Sequence, residues 1–201
     1  MTSPIFARNV PGMTERLARA AVGVAGCGGL GSNAAVALVR AGIGRLILAD
    51  ADRVEASNLN RQHFFQRDIG RLKVEALADH LQAIHPAVAL DLRAIELTPA
   101  NAAEVFGDAE ILIEAFDRAE AKRWLIESWC RAYPGRPIVV ASGLAGLGRT
   151  ASIAVRSAGR IHFCGDGESD MSAGLCAARV AIVAAMQANV AIELLMGDPM
   201  R

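Results

Sequence analysis

The 201-residue sequence carries 21 basic and 21 acidic side chains, so its formal net charge is zero. A surface that binds nucleic acid regardless of sequence needs an excess of basic residues, and we therefore expect no nucleic-acid partner. Hydrophobic residues make up 53% of the chain and aromatic residues only 4%. A chain of this length and composition is most simply one domain with an aliphatic core.

Neither the first residues nor the most apolar stretch of the sequence has the pattern of a signal peptide or a membrane span. The first twelve residues, MTSPIFARNVPG, lack the apolar core of a signal peptide. The most apolar stretch, 174–196, is interrupted by Arg179, Gln187, Asn189 and Glu193, which indicates a buried helix rather than a membrane span. We therefore expect a cytoplasmic protein that does not contact a membrane.

The cysteines show no metal-binding pattern. They are Cys27, Cys130, Cys164 and Cys176, with no C-x-x-C pair and no histidine at zinc-finger spacing. No structural zinc is expected from this spacing, and in a reducing compartment most of these residues should be free thiols.

In chain order, strand patterns alternate with helix patterns. Strands are predicted at 21–26, 45–50, 89–97, 109–117 and 137–143, with short further strands within 150–156 and 159–165. Helices are predicted at 14–20, 32–42, 71–86 and 118–134, and from about Met171 onward. This alternation predicts an α/β fold of the Rossmann-like, doubly wound type, with a mostly parallel sheet and helices on both faces. We expect a helical arm at residues 1–20 and a single nucleotide-binding domain at 21–201.

The sequence GCGGLG places four glycines between the first strand and its helix: Gly26, Gly28, Gly29 and Gly31. Glycines allow a tight turn here and let backbone amides approach a phosphate at the helix N-terminus. Asp50 ends the next strand, where a carboxylate can bond ribose hydroxyls. The pattern predicts a bound nucleotide but not a reaction, because NAD, FAD and ATP all use such loops.

A polar segment after Asp50 supplies cations. Asn58, Arg61 and Gln62 are followed by Lys73. Hydride transfer does not need an arginine and a lysine near the phosphate loop. A reaction that develops charge on a triphosphate does, because fixed cations stabilise that charge in the transition state.

Asp117 ends the fourth predicted strand. The carboxyl edge of such a sheet is where ligands bind, and a carboxylate there can hold Mg²⁺, which needs only one or two protein ligands when it also bridges phosphates. The alternative is a capping role for the helix that follows.

Four segments carry a resemblance to a known family: GCGGLGSN, LADADRVEASNLNRQ, IGRLKVEAL and EAFDRAEAK. In order and spacing they are similar to the adenylating domain of the ubiquitin-activating-like enzymes, the family of ThiF and MoeB. The likeness covers nearly the whole chain, and the N-L-x-R-Q motif with its downstream lysine is far more specific than the glycine loop. Within this family the sequence resembles the short form of ThiF, which acts on the thiamine sulfur carrier ThiS.

The resemblance implies a reaction and a set of site residues. The C-terminal glycine carboxylate of a small ubiquitin-fold sulfur-carrier protein would attack the α-phosphate of ATP and release pyrophosphate. By position, the residues implied are Gly28 and Gly29 at the phosphates, Asp50 at the ribose, Asn58, Arg61 and Lys73 at the phosphates with Gln62 nearby, and Asp117 at Mg²⁺. The roles of Arg61, Lys73 and Asp117 would be catalytic, through positioning and charge stabilisation.

The resemblance also implies a homodimer in which an arginine near the N-terminus reaches the neighbouring site. Arg8, Arg16 and Arg19 are the candidates.

The chain departs from the family pattern in two places. It lacks the two C-x-x-C pairs that hold zinc in many relatives, and Arg118 follows Asp117 where the family often has asparagine. Some relatives use a cysteine to form a covalent link to the carrier. Cys164, in the glycine-flanked segment HFCGDG, is the candidate here for a sulfur-transfer thiol.

Two alternatives remain open at this point. The same ATP chemistry could act on a molybdopterin carrier or on a tRNA base. A non-catalytic nucleotide-binding module or an NAD(P)-dependent oxidoreductase would account for the glycine loop and Asp50, but would leave Arg61 and Lys73 unexplained.

Overall fold

The computed structural model describes residues 4–197. Their strands form one seven-stranded sheet. The strands are β1 (Ala21–Ala25), β2 (Arg45–Ala49), β3 (Ala89–Arg93), β4 (Ile111–Glu114), β5 (Ile138–Ala141), β6 (Ala154–Ala158) and β7 (Ile161–Gly165). The helices are α1 (Met13–Leu17), α2 (Gly29–Ala41), α3 (Lys73–Ile84), α4 (Ala102–Val105), α5 (Ala119–Ala132) and α6 (Ala177–Met196). Short 3₁₀ turns occupy parts of the connections.

The strand order decides where a ligand can bind. It is β3-β2-β1-β4-β5-β7-β6, and every pairing is parallel except the antiparallel pair of β6 with β7. The chain therefore winds outward from β1 in one direction and then returns to place β4 on the other side of β1. The connections after β1 and β4 leave in opposite directions, which opens a crevice at their carboxyl ends.

The core lies on both faces of the sheet because strand residues alternate between them. In β2, Leu46 and Leu48 belong to a cluster covered by α2, α3 and α6, while Ile47 belongs to a second cluster covered by α4 and α5. The predicted doubly wound fold with helices on both faces is confirmed. The division between an arm and a domain at residue 20 stays a prediction.

Several predicted element ends were wrong. The third strand stops at Arg93 rather than residue 97, since its partner β2 ends at Ala49, opposite Arg93. The fourth stops at Glu114 because its partner β1 ends at Ala25. Alternation in a sequence does not report where the neighbouring strand ends. The last helix begins at Ala177, and the residues before it form an irregular segment.

Helix α6 has the length and apolar composition of a membrane-spanning helix, but half of its apolar stretch is buried within the fold. Gln187, near its middle, is fully buried and donates hydrogen bonds to the carbonyls of Glu114 (2.8 Å) and Val139 (3.2 Å). These contacts tie α6 to the sheet, in agreement with the expected buried helix.

The turn from β1 into α2 is packed too tightly for side chains. A Cβ on Gly31 would overlap the carbonyl oxygen of Gly26, and Gly26 itself has a φ of +95°. The first turn of α2 can therefore lie directly on the loop only because residue 31 is glycine.

We predict that Gly31→Ala lowers the free energy of unfolding by about 1–3 kcal/mol, because the added methyl group must push α2 off the loop. Gly135→Ala is the control, since no atom lies within 4 Å of its Cβ position, and it should change stability by less than about 0.5 kcal/mol. Urea denaturation of both variants measures the difference. Equal stabilities would show that the loop accommodates a side chain.

Candidate nucleotide-binding site

A cavity of about 160 Å³ lies at the carboxyl ends of β1 and β4. It brings together predicted residues from distant parts of the sequence. Those that line it are Gly26, Gly28, Gly29, Asp50, Arg61, Gln62, Lys73 and Asp117. Asn58 and Gly31 do not line it. We call this space the first cavity.

The glycine loop forms one wall of the first cavity. Gly28 and Gly29 lie at the start of α2, a 13-residue helix. The first N–H groups of a helix have no partner within the helix and carry partial positive charge, so they suit a phosphate. Gly31 is buried beneath this loop, and its contribution is therefore to packing rather than to ligand contact.

Asp50 links the loop to the end of β2. Its Oδ2 accepts a hydrogen bond from the N–H of Cys27 at 2.7 Å, and its Oδ1 accepts one from the N–H of Asp52 at 2.7 Å. These two bonds hold the carboxylate at the edge of the cavity. Each oxygen keeps a second lone pair, which is free to accept from a ribose hydroxyl.

Lys73 is oriented by a partner that sequence reasoning did not assign. Its Nζ lies 2.7 Å from Oδ2 of Asp52, and the lysine is 7% exposed, whereas the Asp52 side chain is 71% exposed. The exposed carboxylate neutralises a nearly buried ammonium group. A phosphate entering the cavity can replace this carboxylate as the partner of Lys73.

Arg61 lies against the opposite end of the glycine loop. Its Cγ is 3.5 Å from where a Cβ on Gly29 would lie, and its Nη1 donates to the carbonyl of Ser57 (3.1 Å) and to Oδ1 of Asn60 (2.7 Å). Within residues 4–197 its Nε and Nη2 make no hydrogen bond. The guanidinium therefore has donors available for a ligand.

Asn58 supports this segment from outside the cavity. Its side-chain oxygen accepts from the N–H of Glu55 at 3.1 Å, and its carbonyl accepts from the N–H groups of Arg61 (3.1 Å) and Gln62 (2.9 Å). Asn58 does not line the first cavity, and its expected phosphate contact stays a prediction. Its 9% exposure and these bonds give it a positioning role.

Gln62 leaves one polar atom unsatisfied. Its Oε1 is buried and has no hydrogen-bond partner among the described residues, and its Nε2 lies 3.6 Å from the Cβ position of Gly28. Leaving a buried acceptor unpaired costs about 1–3 kcal/mol. A bound ligand or an ordered water can offset this cost.

Asp117 lies in the exposed turn between β4 and α5 and lines the first cavity. Within residues 4–197 no group of three His, Cys, Asp or Glu side chains converges as a metal site would. Mg²⁺ does not require one, since one or two carboxylates with substrate phosphates suffice. The chemistry of this residue fits Mg²⁺, and its metal role stays a prediction.

The turn that carries Asp117 is held by Glu114, which sequence reasoning missed. The carboxylate of Glu114 is fully buried and accepts hydrogen bonds from the N–H of Phe116 (2.6 Å) and from Nζ of Lys122 (3.0 and 2.9 Å). Burial raises the pKa of Glu114, while the Lys122 ammonium opposes that rise. No motif distinguishes this residue from an ordinary strand end.

A second cavity of about 400 Å³ lies on the other side of Asp50. Its lining includes Ile95, Leu97, Phe116 and Trp124. Apolar and aromatic side chains next to Asp50, the predicted ribose-binding acid, suit a planar base. Sequence reasoning missed these residues because they come from the connection after β3, the turn after β4 and helix α5, which only the folded chain brings together.

The expectation that Cys164 lies in an accessible loop is wrong. It is in β7, fully buried, and paired with Ala141 of β5. Burial raises its pKa to about 12. The flanking glycines turn the chain after the strand but do not expose the thiol, so Cys164 lacks both the exposure and the lowered pKa that a reactive thiol needs.

The N-terminal arginines differ in their contacts. Arg16 donates to Glu110 at 2.7 Å, and Glu110 also accepts from the N–H of Ala21, at the amino end of β1. Arg16 is therefore fixed at the edge of the sheet opposite the first cavity. Arg8 and Arg19 are exposed, and which of the three arginines contacts another subunit stays a prediction.

We predict that a thiol-alkylating reagent at about pH 8 modifies Cys176 and leaves Cys27 and Cys164 unmodified. Cys27 and Cys164 are fully buried with raised pKa values, whereas Cys176 is partly exposed, and only thiolates react rapidly. Peptide mass spectrometry against time measures each site, with urea-unfolded protein as the control. Labelling of Cys164 as fast as Cys176 would contradict the buried position.

Known proteins resemble this chain in sequence. Adenylyltransferase and sulfurtransferase uba4 of Emericella nidulans is 38% identical over 130 residues, which cover 64% of this chain and 27% of that protein. The sulfur carrier protein ThiS adenylyltransferase of Bacillus subtilis is 30% identical over 202 residues, covering 96% and 60%. The chain thus spans from about a quarter to three fifths of the length of these relatives.

Solved structures share its fold. The tRNA N6-threonylcarbamoyladenosine dehydratase TcdA of E. coli, in complex with AMP, has a TM-score of 0.84 at 25% identity and covers 94% of this chain and 91% of its own. The same enzyme in complex with ATP has a TM-score of 0.81 at 26% identity, covering 92% and 88%.

The ThiF family model matches residues 5–201. The chain therefore belongs to the ThiF family.

Proposed function

We propose that this protein is an ATP-dependent adenylyltransferase that acts on the C-terminal glycine carboxylate of a small ubiquitin-fold sulfur-carrier protein. The observation that carries this proposal is the convergence of Arg61 and Lys73 with the Gly28–Gly29 loop around one cavity. Cations at a phosphate loop serve a reaction at phosphorus, and a hydride transfer would leave them without a purpose.

Each part of the two cavities has a place in ATP binding. The N–H groups of the glycine loop and the N-terminus of α2 hold the phosphates. The Asp50 carboxylate, oriented by Cys27 and Asp52, accepts from the ribose. The adenine lies in the second cavity, beside Phe116 and Trp124. The AMP and ATP complexes of TcdA support a nucleotide in a fold of this type.

The reaction needs no nucleophile from the protein. A carboxylate oxygen of the carrier attacks the α-phosphorus, the bond from that phosphorus to the bridging oxygen breaks, and pyrophosphate leaves with the electron pair. Arg61 and Lys73 stabilise the negative charge that grows on the phosphates. The Asp52 partner of Lys73 keeps the ammonium in place before the nucleotide arrives. Mg²⁺ held by Asp117 would neutralise further phosphate charge.

The carrier we propose is ThiS, which would place the reaction in sulfur transfer for thiamine. The printed names of the Bacillus subtilis relative and of the sulfur carrier protein adenylyltransferase of Thermus thermophilus, which is 37% identical over 126 residues, support a carrier of this kind. We further propose a homodimer in the cytoplasm. Arg8 or Arg19 would then reach the neighbouring subunit's site.

A second candidate is the same chemistry on a tRNA base. The likeness to TcdA, a tRNA-modifying enzyme, favours it. The equal numbers of acidic and basic side chains oppose it, because tRNA phosphates attract a protein chiefly through a basic surface.

We predict that Arg61→Ala lowers the rate of carrier-dependent exchange of labelled pyrophosphate into ATP by about 100-fold or more. The affinity for ATP should fall less, since the arginine acts mainly on charge that develops in the transition state. Arg67→Ala is the matched control. It lies in the same segment, contacts the ring of Phe65 and does not line the cavity.

Pyrophosphate exchange by Arg61→Ala and NAD binding by the unmodified protein together distinguish an adenylyltransferase from an oxidoreductase. Exchange that persists in Arg61→Ala would remove the assigned role of that residue. Tight NAD binding by the unmodified protein without ATP binding would favour an oxidoreductase instead.

We predict that, among purified substrates tested side by side, ThiS supports the fastest pyrophosphate exchange. A molybdopterin carrier and threonylcarbamoyladenosine-modified tRNA are the competitors. A ThiS variant without its last glycine is the control and should support none, because the attacking carboxylate is displaced. Faster exchange with tRNA would assign the second candidate function, and no exchange with any carrier ending in Gly-Gly would overturn the first.

A further inference from the structure

Two loop segments, 142–150 and 166–176, lie side by side. We call the two together the loop wall. The N–H of Asp166 donates to the carbonyl of Gly143 at 2.9 Å, and the N–H of Gly146 donates to the carbonyl of Gly174 at 2.8 Å. Side chains of the loop wall that line the first cavity are Leu144, Met171 and Leu175. The loop wall therefore faces the same space as Arg61 and Lys73.

Apolar burial holds only part of the loop wall, where Ala145 is buried and Leu144 packs against the core. Leu147 is 82% exposed and Met171 is 44% exposed. Neither segment has regular pairing beyond a single bridge between Gly146 and Leu175. A loop with this composition needs polar anchors to keep one position.

The anchor is a buried ion pair between Asp166 and Arg179. Oδ1 of Asp166 accepts from the N–H groups of Glu168 (2.9 Å) and Ser169 (2.8 Å), and its Oδ2 accepts from Nη2 of Arg179. Arg179 lies in the first turn of α6, and its Nη1 donates to the carbonyl of Gly148. One arginine thus joins both segments of the loop wall to a core helix.

Both partners of this pair are almost fully buried, Asp166 at 3% and Arg179 at 4% exposure. Burial alone would raise the pKa of Asp166, but the N–H donors of Ser169 and Glu168 and the Arg179 guanidinium hold it at about 2. The pair is therefore charged at any neutral assay pH. Well-packed apolar residues often stabilise a fold as much as such a pair does, so stability alone does not account for it.

We propose that Asp166 and Arg179 are positioning residues that hold the loop wall over the place where the acyl group meets the nucleotide. This inference rests on the proposed adenylation. The phosphates, ribose and base have their contacts elsewhere, whereas Leu144, Met171 and Leu175 offer apolar surface only. An apolar wall suits the exclusion of water from an acyl adenylate. Water would otherwise attack its carbonyl carbon, break the bond from that carbon to the phosphate oxygen, and give the free carboxylate and AMP.

The test compares Asp166→Asn, Arg179→Met and the double variant. Each single change leaves one partner buried without its counterpart and should lower the melting temperature by several degrees. The double change removes both charges and should recover much of that loss. If the pair positions the loop wall, the double variant keeps an ATP affinity within about threefold of the unmodified protein but has a carrier KM raised about tenfold or more, and it releases more AMP per pyrophosphate formed.

Two further variants separate geometry from charge and from general damage. Arg179→Lys keeps the positive charge but cannot reach both Asp166 and Gly148, so we expect the same rise in carrier KM. Asp91→Asn removes a partner of Arg45 at the β3 edge, away from the site, and should change neither KM nor AMP release.

Hydrogen exchange gives a readout that does not depend on activity. Amides of 142–150 and 166–176 should exchange faster in the double variant, while those of α2 and β1 keep their protection. A double variant with unchanged exchange in the loop wall, or with the KM and AMP release of the unmodified protein, would overturn the inference. If the unmodified protein shows no carrier-dependent reaction, the proposed function fails, and the hydrogen-exchange result alone then decides whether the pair positions the loop wall.

Discussion

The hydrogen bond from the N–H of Cys27 to the Asp50 carboxylate, 2.7 Å long, is the contact on which the site depends. It joins the loop after β1 to the end of β2, and so places the amides of the glycine loop and the Asp50 carboxylate at a set distance. The bond can form because both strands end at the same edge of a parallel sheet. Gly31 lets α2 start directly above the loop. Both cavities are lined by Gly26 of this loop and by Asp50.

Charge in the site is held in place before any ligand arrives. Lys73 is nearly buried and would be costly to leave unpaired, and the exposed Asp52 supplies its counter-charge. Glu114 and Lys122 form a comparable pair beneath the turn of Asp117. Asp166 and Arg179 form a third pair beneath the loop wall. Each pair lies beside a segment that lines the first cavity, and under the proposed function such pre-organised charge would lower the reorganisation needed during a reaction at phosphorus.

The spacing of the motifs predicted which residues line the site, but it predicted less well which contacts each residue makes. Arg61, Lys73 and Asp117 line one cavity as expected, because the connections that follow β2 and β4 leave the same edge of a parallel sheet. Asn58 does not line this cavity, and its side-chain oxygen accepts a hydrogen bond from the N–H of Glu55. A buried amide can serve either purpose, and the sequence does not distinguish them. Cys164 is buried in β7, between β5 and β6, rather than in a loop, since glycines mark the end of a strand as readily as an exposed turn.

The sequence by itself determined the alternation of strands and helices, the nucleotide loop, and the order of acid, cations and second acid along the chain. These depend on local periodicity and on short spacings, which a linear pattern records. Only the tertiary structure decided which residues hold the side chains and loops of the site in position. The pairs Lys73–Asp52 and Arg179–Asp166, and the second cavity beside Trp124, join segments that are separate in sequence. Their formation depends on packing across the sheet, and no local pattern encodes that distance.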